Sequence, residues 1–142
     1  MVTANESRPA VQAIHEHLRR RHPGFELVFT AWSLQSTEAA IERSDVVLLP
    51  QEHATAWGRV KSHNRIVSAI RGGRLAVASP VPAYQELASF AWVGEDLAAG
   101  VRWALAQPEE AAARVAVGQM YVESRFAPQA VGRRWAEALG IP

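Results

Sequence analysis

Apolar and polar segments alternate along the chain in a βαβα rhythm. Pro9 to His22 reads as a helix with Val11, Ile14 and Leu18 on one face, ended by Pro23-Gly24. Phe25 to Trp32 (FELVFTAW) reads as a strand, and Thr37 to Arg43 as a short helix capped at Ser36. Asp45 to Leu49 reads as a second strand. Its Val46-Val47-Leu48-Leu49 run is apolar at every position, as in a parallel strand covered on both faces.

Pro50 ends that strand, and Gln51 to Val60 reads as a loop. Lys61 to Arg71 reads as a helix stopped by Gly72-Gly73, and Arg74 to Ser79 as the next buried strand. Pro80-Val81-Pro82 requires a loop, Tyr84 to Ala88 fits a single helical turn, and Phe90 to Val93 a short last strand. Three helices follow, at about Asp96–Ala106, Glu109–Glu123 and Pro128–Leu139, with Pro108 suited to the first position of its helix. The pattern gives an α/β fold: a Rossmann-like, mostly parallel sheet of four strands flanked by helices.

Composition narrows the picture. With 142 residues the chain fits a single domain, 1–142, and its 49% apolar content supports a real core. A net charge of +1 argues against a nucleic-acid binder that works by neutralising phosphates. The absence of cysteine excludes disulfides, thiolate metal sites and cysteine nucleophiles, and fits a cytoplasmic protein. Met1 to Ala10 is polar and is not a signal peptide, and no apolar run reaches the roughly 20 residues of a membrane span.

The chemistry concentrates between Asp45 and Glu86. Two loops, Gln51–Val60 and Pro80–Gln85, leave carboxyl ends of strands and are expected on one edge of the sheet, where open parallel sheets bind ligands. On the helix between them, Lys61, Asn64, Arg65 and Ser68 share a stripe opposite Ile66, Val67 and Ile70. Cations at a helix N-terminus carry a small electrostatic cost, and the commonest explanation of such a stripe is a solvated face. The same N-terminus offers N–H groups and a dipole that favour an anion, and Arg65 adds a fork suited to phosphate. A diphosphate is the ligand this arrangement suits.

At these residues the chain resembles a known family. SDVVLLP followed by KSHNRIVSAIRGGRLAVASPVPAYQEL is similar to the donor-binding segment of two-domain glycosyltransferases of the GT-B type. Gly73 to Ser79 fills the family's second strand, and Glu86 stands near an acidic position that follows it. The short strand Phe90–Val93, the Gly94-Glu95-Asp96-Leu97 entry to a helix and a last helix bearing Trp135 also agree, so the likeness runs from about Phe25 to Leu139. The resemblance implies a domain that holds a nucleotide diphosphate sugar through Lys61, Asn64, Arg65, Ser68, Tyr84 and Glu86. It implies no bound cofactor beyond that donor and no metal, and it names no catalytic residue.

The departures are specific. Many members carry two glutamates on this loop and helix, where Val60 and Ser68 stand here, and a subgroup with a K-S-x-N-R helix is the nearer match. The family's opening strand and its acceptor-binding half have no counterpart in the sequence. The chain is therefore expected to be incomplete relative to the two-domain enzyme and inactive alone. The rival reading is a non-catalytic or degenerate α/β interaction domain that keeps the fold.

Other signals have plainer explanations. His15 and His17, two apart on a helix, point about 200° from each other and cannot chelate one ion. Arg19-Arg20-Arg21-His22 suits the negative end of a helix dipole. His53 and His63 flank the expected cleft, and Trp57 and Tyr84 either stack on a ligand ring or pin their loops. Val131, Trp135, Ala138 and Leu139 form an apolar stripe on the last helix. An uncovered stripe there predicts a homodimer or a partner-bound chain with Trp135 at the contact.

Overall fold

The computed structural model describes residues 8–30, 33–52 and 54–141. Trp32, His53 and the Trp57 side chain lie outside the described residues. The elements are α1 (Arg8–Arg19), α2 (Leu34–Glu42), β1 (Val46–Leu49), α3 (Ala56–Arg59), α4 (Asn64–Arg71) and β2 (Leu75–Ala78). A 3₁₀ helix (Pro82–Leu87), β3 (Trp92–Val93), α5 (Leu97–Ala106), α6 (Pro108–Phe126) and α7 (Pro128–Leu139) complete them.

The sheet is parallel with order β1-β2-β3. Val46 to Leu49 pair with Leu75 to Ala78, and Val77 and Ala78 pair with Trp92 and Val93. Because side chains alternate across a strand, the apolar runs feed both faces. Val47, Leu49, Ala76 and Ala78 join one cluster with α2, α4, the 3₁₀ helix and Val122. Leu48, Leu75 and Val77 join a second with α1, α5, Ala111 and Val115. Helix α6 contributes to both clusters, its N-terminal half to the second and its C-terminal half to the first.

Four sequence expectations are corrected. Phe25 to Thr30 alternates in burial, with Phe25, Leu27 and Phe29 partly buried between exposed Glu26 and Val28. Among the described residues it forms one bridge, at Phe29, instead of a ladder, so the described sheet has three strands and not four. Alternation found the buried side of this segment; packing on the α1–α5 cluster accounts for that burial without a ladder.

Helix α2 starts at Leu34 and is capped by Ser33, not Ser36. Ser33 Oγ accepts from the Ser36 amide and Ser36 Oγ accepts from the Ser33 amide, each at 3.0 Å, so Ser36 is the inner half of a capping box. The Gln51–Val60 segment is not all loop: Thr55 caps the single turn α3 by accepting from the Gly58 amide at 3.0 Å. That turn changes the start of α4. The Lys61 amide donates back to Gly58 O at 3.4 Å, so Lys61 closes α3 and α4 begins only at Asn64.

Candidate functional site

The carboxyl edge of the sheet is tied together by one buried hydroxyl. Ser79, just past β2, donates its amide to Leu49 O at 3.2 Å, and its Oγ accepts from the Gln51 amide at 3.0 Å. The exits of β1 and β2 are thus held side by side. The Gly94 amide donates to Ala78 O at 3.0 Å and brings the exit of β3 to the same edge. Asp96 there caps α5, accepting from the Ala99 amide at 2.9 Å and from Arg102 at 3.3 Å. Those bonds, the backbone one first, hold its carboxyl below the usual aspartate value.

A crossover helix between parallel strands starts at their carboxyl edge, which places the first turn of α4 here. Ile66, Val67, Ala69 and Ile70 are buried beneath it. Asn64 and Ser68 are exposed and Arg65 is half-buried, so these three keep the expected stripe. Lys61 is half-buried on the turn before α4, not on the helix. Ser68 Oγ donates to Asn64 O at 2.9 Å, which turns it back on its own helix. The residue before the first turn, His63, gives no side-chain capping bond. Its ring lies against Phe126 instead, with centroids 4.8 Å apart. The first-turn amides of α4 therefore receive no acceptor from their N-cap side chain.

Tyr84 is in the core at 1% exposure, so its ring pins the 3₁₀ turn and does not stack on a ligand. Its hydroxyl makes no hydrogen bond among the described residues. Only Thr37 Oγ1 among the described residues is a sealed polar side-chain atom without a partner, so the Tyr84 oxygen retains access to the surface. Burial raises the phenol's pKa above the ordinary tyrosine value, and the positive charge of Arg65 acts against that rise. Tyr84 thus presents a protonated hydroxyl within the field of Arg65.

Glu86 is placed differently from the expectation. Its Oε1 accepts from the Tyr121 hydroxyl at 2.9 Å and from Arg125 Nε at 2.6 Å, both on α6. These partners, Tyr121 first, hold its carboxyl below the usual glutamate value. The Tyr121 phenol is raised in turn, chiefly by the same bond. Glu86 anchors the 3₁₀ turn to α6 through Oε1. The residues that sequence reasoning missed, Ser79, Tyr121, Arg125 and Phe126, reach this edge from 28 to 39 positions away or through ring packing. No local pattern marks such partners.

The remaining signals separate. The His15 ring lies tilted against Phe25 with centroids 6.0 Å apart, while His17 Nε2 lies 3.2 Å from Arg102 on α5. Among the described residues no three His, Asp or Glu side chains are grouped to hold a metal. No helix of the described residues is long and apolar enough to cross a membrane. Two shallow depressions of about 330 Å³ lie along α1 (His15, Glu16, Arg19, Arg20) and along α7 (Val131, Arg134, Trp135, Ala138). Each is lined by one helix, the form of a groove between side chains and not of an enclosed ligand site.

Comparison of the chain with known proteins finds no match among family models. Neither the curated proteins nor the solved structures give one.

Proposed function

We propose that this chain is a Rossmann-like nucleotide-sugar-binding domain of the GT-B glycosyltransferase kind, holding the donor's diphosphate at the N-terminus of α4. The observation that carries the reading is the Tyr84 hydroxyl: a donor on a buried ring, without a hydrogen-bond partner among the described residues, in the field of Arg65. The hydroxyl is not sealed, so a ligand oxygen that reaches it replaces solvent as its partner. The uncapped first turn of α4 and the half-buried Arg65 supply further donors to the same anion. Under this reading the exposed Asn64 and half-buried Lys61 add contacts at its rim. In this reading Arg65 and Lys61 neutralise a leaving diphosphate, and transfer to the acceptor belongs to an assembly with a second domain facing the same edge.

The second reading, a non-catalytic α/β interaction domain, is favoured by Glu86, whose Oε1 is engaged by Tyr121 and Arg125 of α6. Calorimetric titration with UDP and with inorganic pyrophosphate separates the two. Binding near 10⁻⁴ M, about 5 kcal/mol, that weakens with salt supports the donor site. Arg65→Ala is expected to weaken it about tenfold or more, and Tyr84→Phe, which keeps the core ring, about two- to tenfold. Absence of binding at about 10 mM of either ligand, weaker than roughly 3 kcal/mol, establishes the second reading.

A further inference from the structure

Helix α1 meets α5 through apolar packing and through one polar contact. Val11 and Leu18 are fully buried in the cluster that holds Leu97, Ala98 and Val101 of α5. Beside them the half-buried His17 brings its Nε2 to 3.2 Å from Arg102 Nη1. The other terminal nitrogen of Arg102, Nη2, lies 3.3 Å from Asp96 Oδ2, and Asp96 Oδ1 accepts from the Ala99 amide at 2.9 Å. The N-cap of α5 is thus joined to the last turn of α1 through Asp96, Arg102 and His17 in a row.

The chemistry of the partners fixes the state of the ring. A guanidinium carries only donors and does not give up its charge in a protein. The contact with Arg102 therefore requires Nε2 to accept, so His17 is neutral and carries its proton on Nδ1. Arg102 is held in turn by Asp96, whose carboxyl is kept below the usual aspartate value, first by the Ala99 amide. The guanidinium cannot swing away without giving up that partner. A proton on Nε2 removes the acceptor and sets two cations 3.2 Å apart.

The charged groups around the contact do not offset this. From α5 come Arg102 and, behind it, Asp96. The Phe25–Thr30 segment, which packs on the same cluster, brings only the exposed Glu26. On α1 and the turn after it stand Glu16, Arg20 and Arg21, all exposed and none bonded to His17. The negative end of the α1 dipole favours a charged ring on this last turn, while Arg102 repels it. Protonation therefore leaves His17 on α1 and breaks its contact with α5.

We propose that His17 and Arg102 form a proton-operated latch: the neutral ring fastens α1 to α5, and its protonation lets α1 open more often from the face that Val11 and Leu18 cover. That face is made by Leu48, Leu75 and Val77 of the sheet together with α5. The apolar contacts persist in acid, so α1 is loosened and not detached. The latch is independent of the donor site and operates whether or not a diphosphate binds.

Two measurements on the full chain test this. Long-range proton–nitrogen correlation spectra read the tautomer, and at about pH 8 His17 is expected in the Nδ1–H form, the reverse of the form a solvated histidine favours. Amide hydrogen exchange, corrected for the intrinsic effect of pH, reads the opening of α1. Between about pH 8 and about pH 5.5, where imidazoles take up their proton, protection across Val11–Leu18 is expected to fall about three- to fivefold, the size of an exposed charge contact. His17→Gln, whose amide oxygen accepts from Arg102 without titrating, is expected to keep its protection at both pH values. Arg102→Met removes the repulsion and is expected to be equally indifferent to pH, from a lower starting protection. An Nε2–H tautomer at about pH 8, or a His17→Gln chain that loses protection as the native chain does, overturns the proposal.

Discussion

Helices α4 and α7 are both amphipathic, and the molecule treats them in opposite ways. In its eight residues α4 buries Ile66, Val67, Ala69 and Ile70, while α7 buries only Ala130 in twelve. Connection explains the difference. α4 joins β1 to the neighbouring parallel strand β2, so both its ends are fixed and its apolar face must lie on the sheet. α7 hangs from α6 through Ala127, which ends one helix and opens the other, and its main neighbour is α6. An apolar stripe identifies the face that seeks cover. Only the topology decides whether this chain supplies it.

The most direct attack on that contrast is a matched pair of truncations. Ile70 is fully buried in the α4-side cluster, and Ile70→Ala is expected to cost about 2–5 kcal/mol through lost burial and a cavity. Leu139→Ala, measured at a few micromolar, is expected to stay within about 0.5 kcal/mol because its side chain is 63% exposed. Urea denaturation of both variants measures the gap. Equal costs would show that α7 is covered by its own chain and would dissolve the comparison.

Two helical glycines sharpen it further. A Cβ at Gly118 of α6 would lie 2.7 Å from Phe90 Cβ and 3.0 Å from Ile70 Cγ2, so α6 can approach α4 only with a hydrogen there. Gly118→Ala is expected to destabilise by about 1–3 kcal/mol, overpacking outweighing the gain in helix propensity. Gly132 of α7 meets no neighbour, and Gly132→Ala at low concentration is expected to stabilise by about 0.5–1 kcal/mol. The two substitutions are chemically identical, so opposite signs in thermal denaturation would isolate the effect of cover alone.

What the sequence makes legible follows the same division. The runs Val46–Leu49 and Leu75–Ala78, apolar at every position, identify two parallel strands covered on both faces, and α5, α6 and α7 fall close to their expected bounds. Those are local signals of period and capping. Lys61 was misplaced because the competing turn at Thr55–Gly58 takes its amide, a hydrogen bond that helical spacing does not reveal. Glu86 was placed near the carboxyl edge without its partners on α6, and of the two readings of Tyr84 the burial of its ring selects the one in which it pins the turn. One is engaged by residues 35 and 39 positions away, and the ring of the other is packed into a core that only the tertiary fold builds. Sequence pattern located the edge of the sheet; the identity of the free donors along it depends on long-range partners.

A smaller effect tests the joint between the two regions. Glu86 fastens the 3₁₀ turn to α6 through Tyr121 and Arg125, and its carboxyl is held below the usual glutamate value. A carboxylate with a depressed folded pKa stabilises the fold above its unfolded pKa, and that stability is lost as pH falls through the folded pKa. The native chain is therefore expected to lose stability from about pH 5 downward, and Glu86→Gln to lose less over the same window. Urea midpoints at neutral and acid pH measure the difference. A Glu86→Gln variant with the full native acid response would show that other carboxylates, Asp96 among them, carry it.

The smallest expected effect lies at Trp135, and its smallness is the point. A tryptophan dominates stability where it is buried, and truncation of a core aromatic costs about 3–5 kcal/mol. At 63% exposure Trp135 has few neighbours to lose within its own chain. Measured at a few micromolar, Trp135→Ala is expected to shift unfolding by no more than about 0.5 kcal/mol. Raising the concentration changes the comparison, because association binds the folded state and lifts its apparent stability by mass action. Under the sequence expectation of a homodimer with Trp135 at the contact, the native chain melts at rising temperature as concentration rises, while Trp135→Ala melts at one temperature throughout. A large cost at low concentration would place the indole in the monomer's own core. Parallel concentration dependence in both proteins would move the contact elsewhere on the surface.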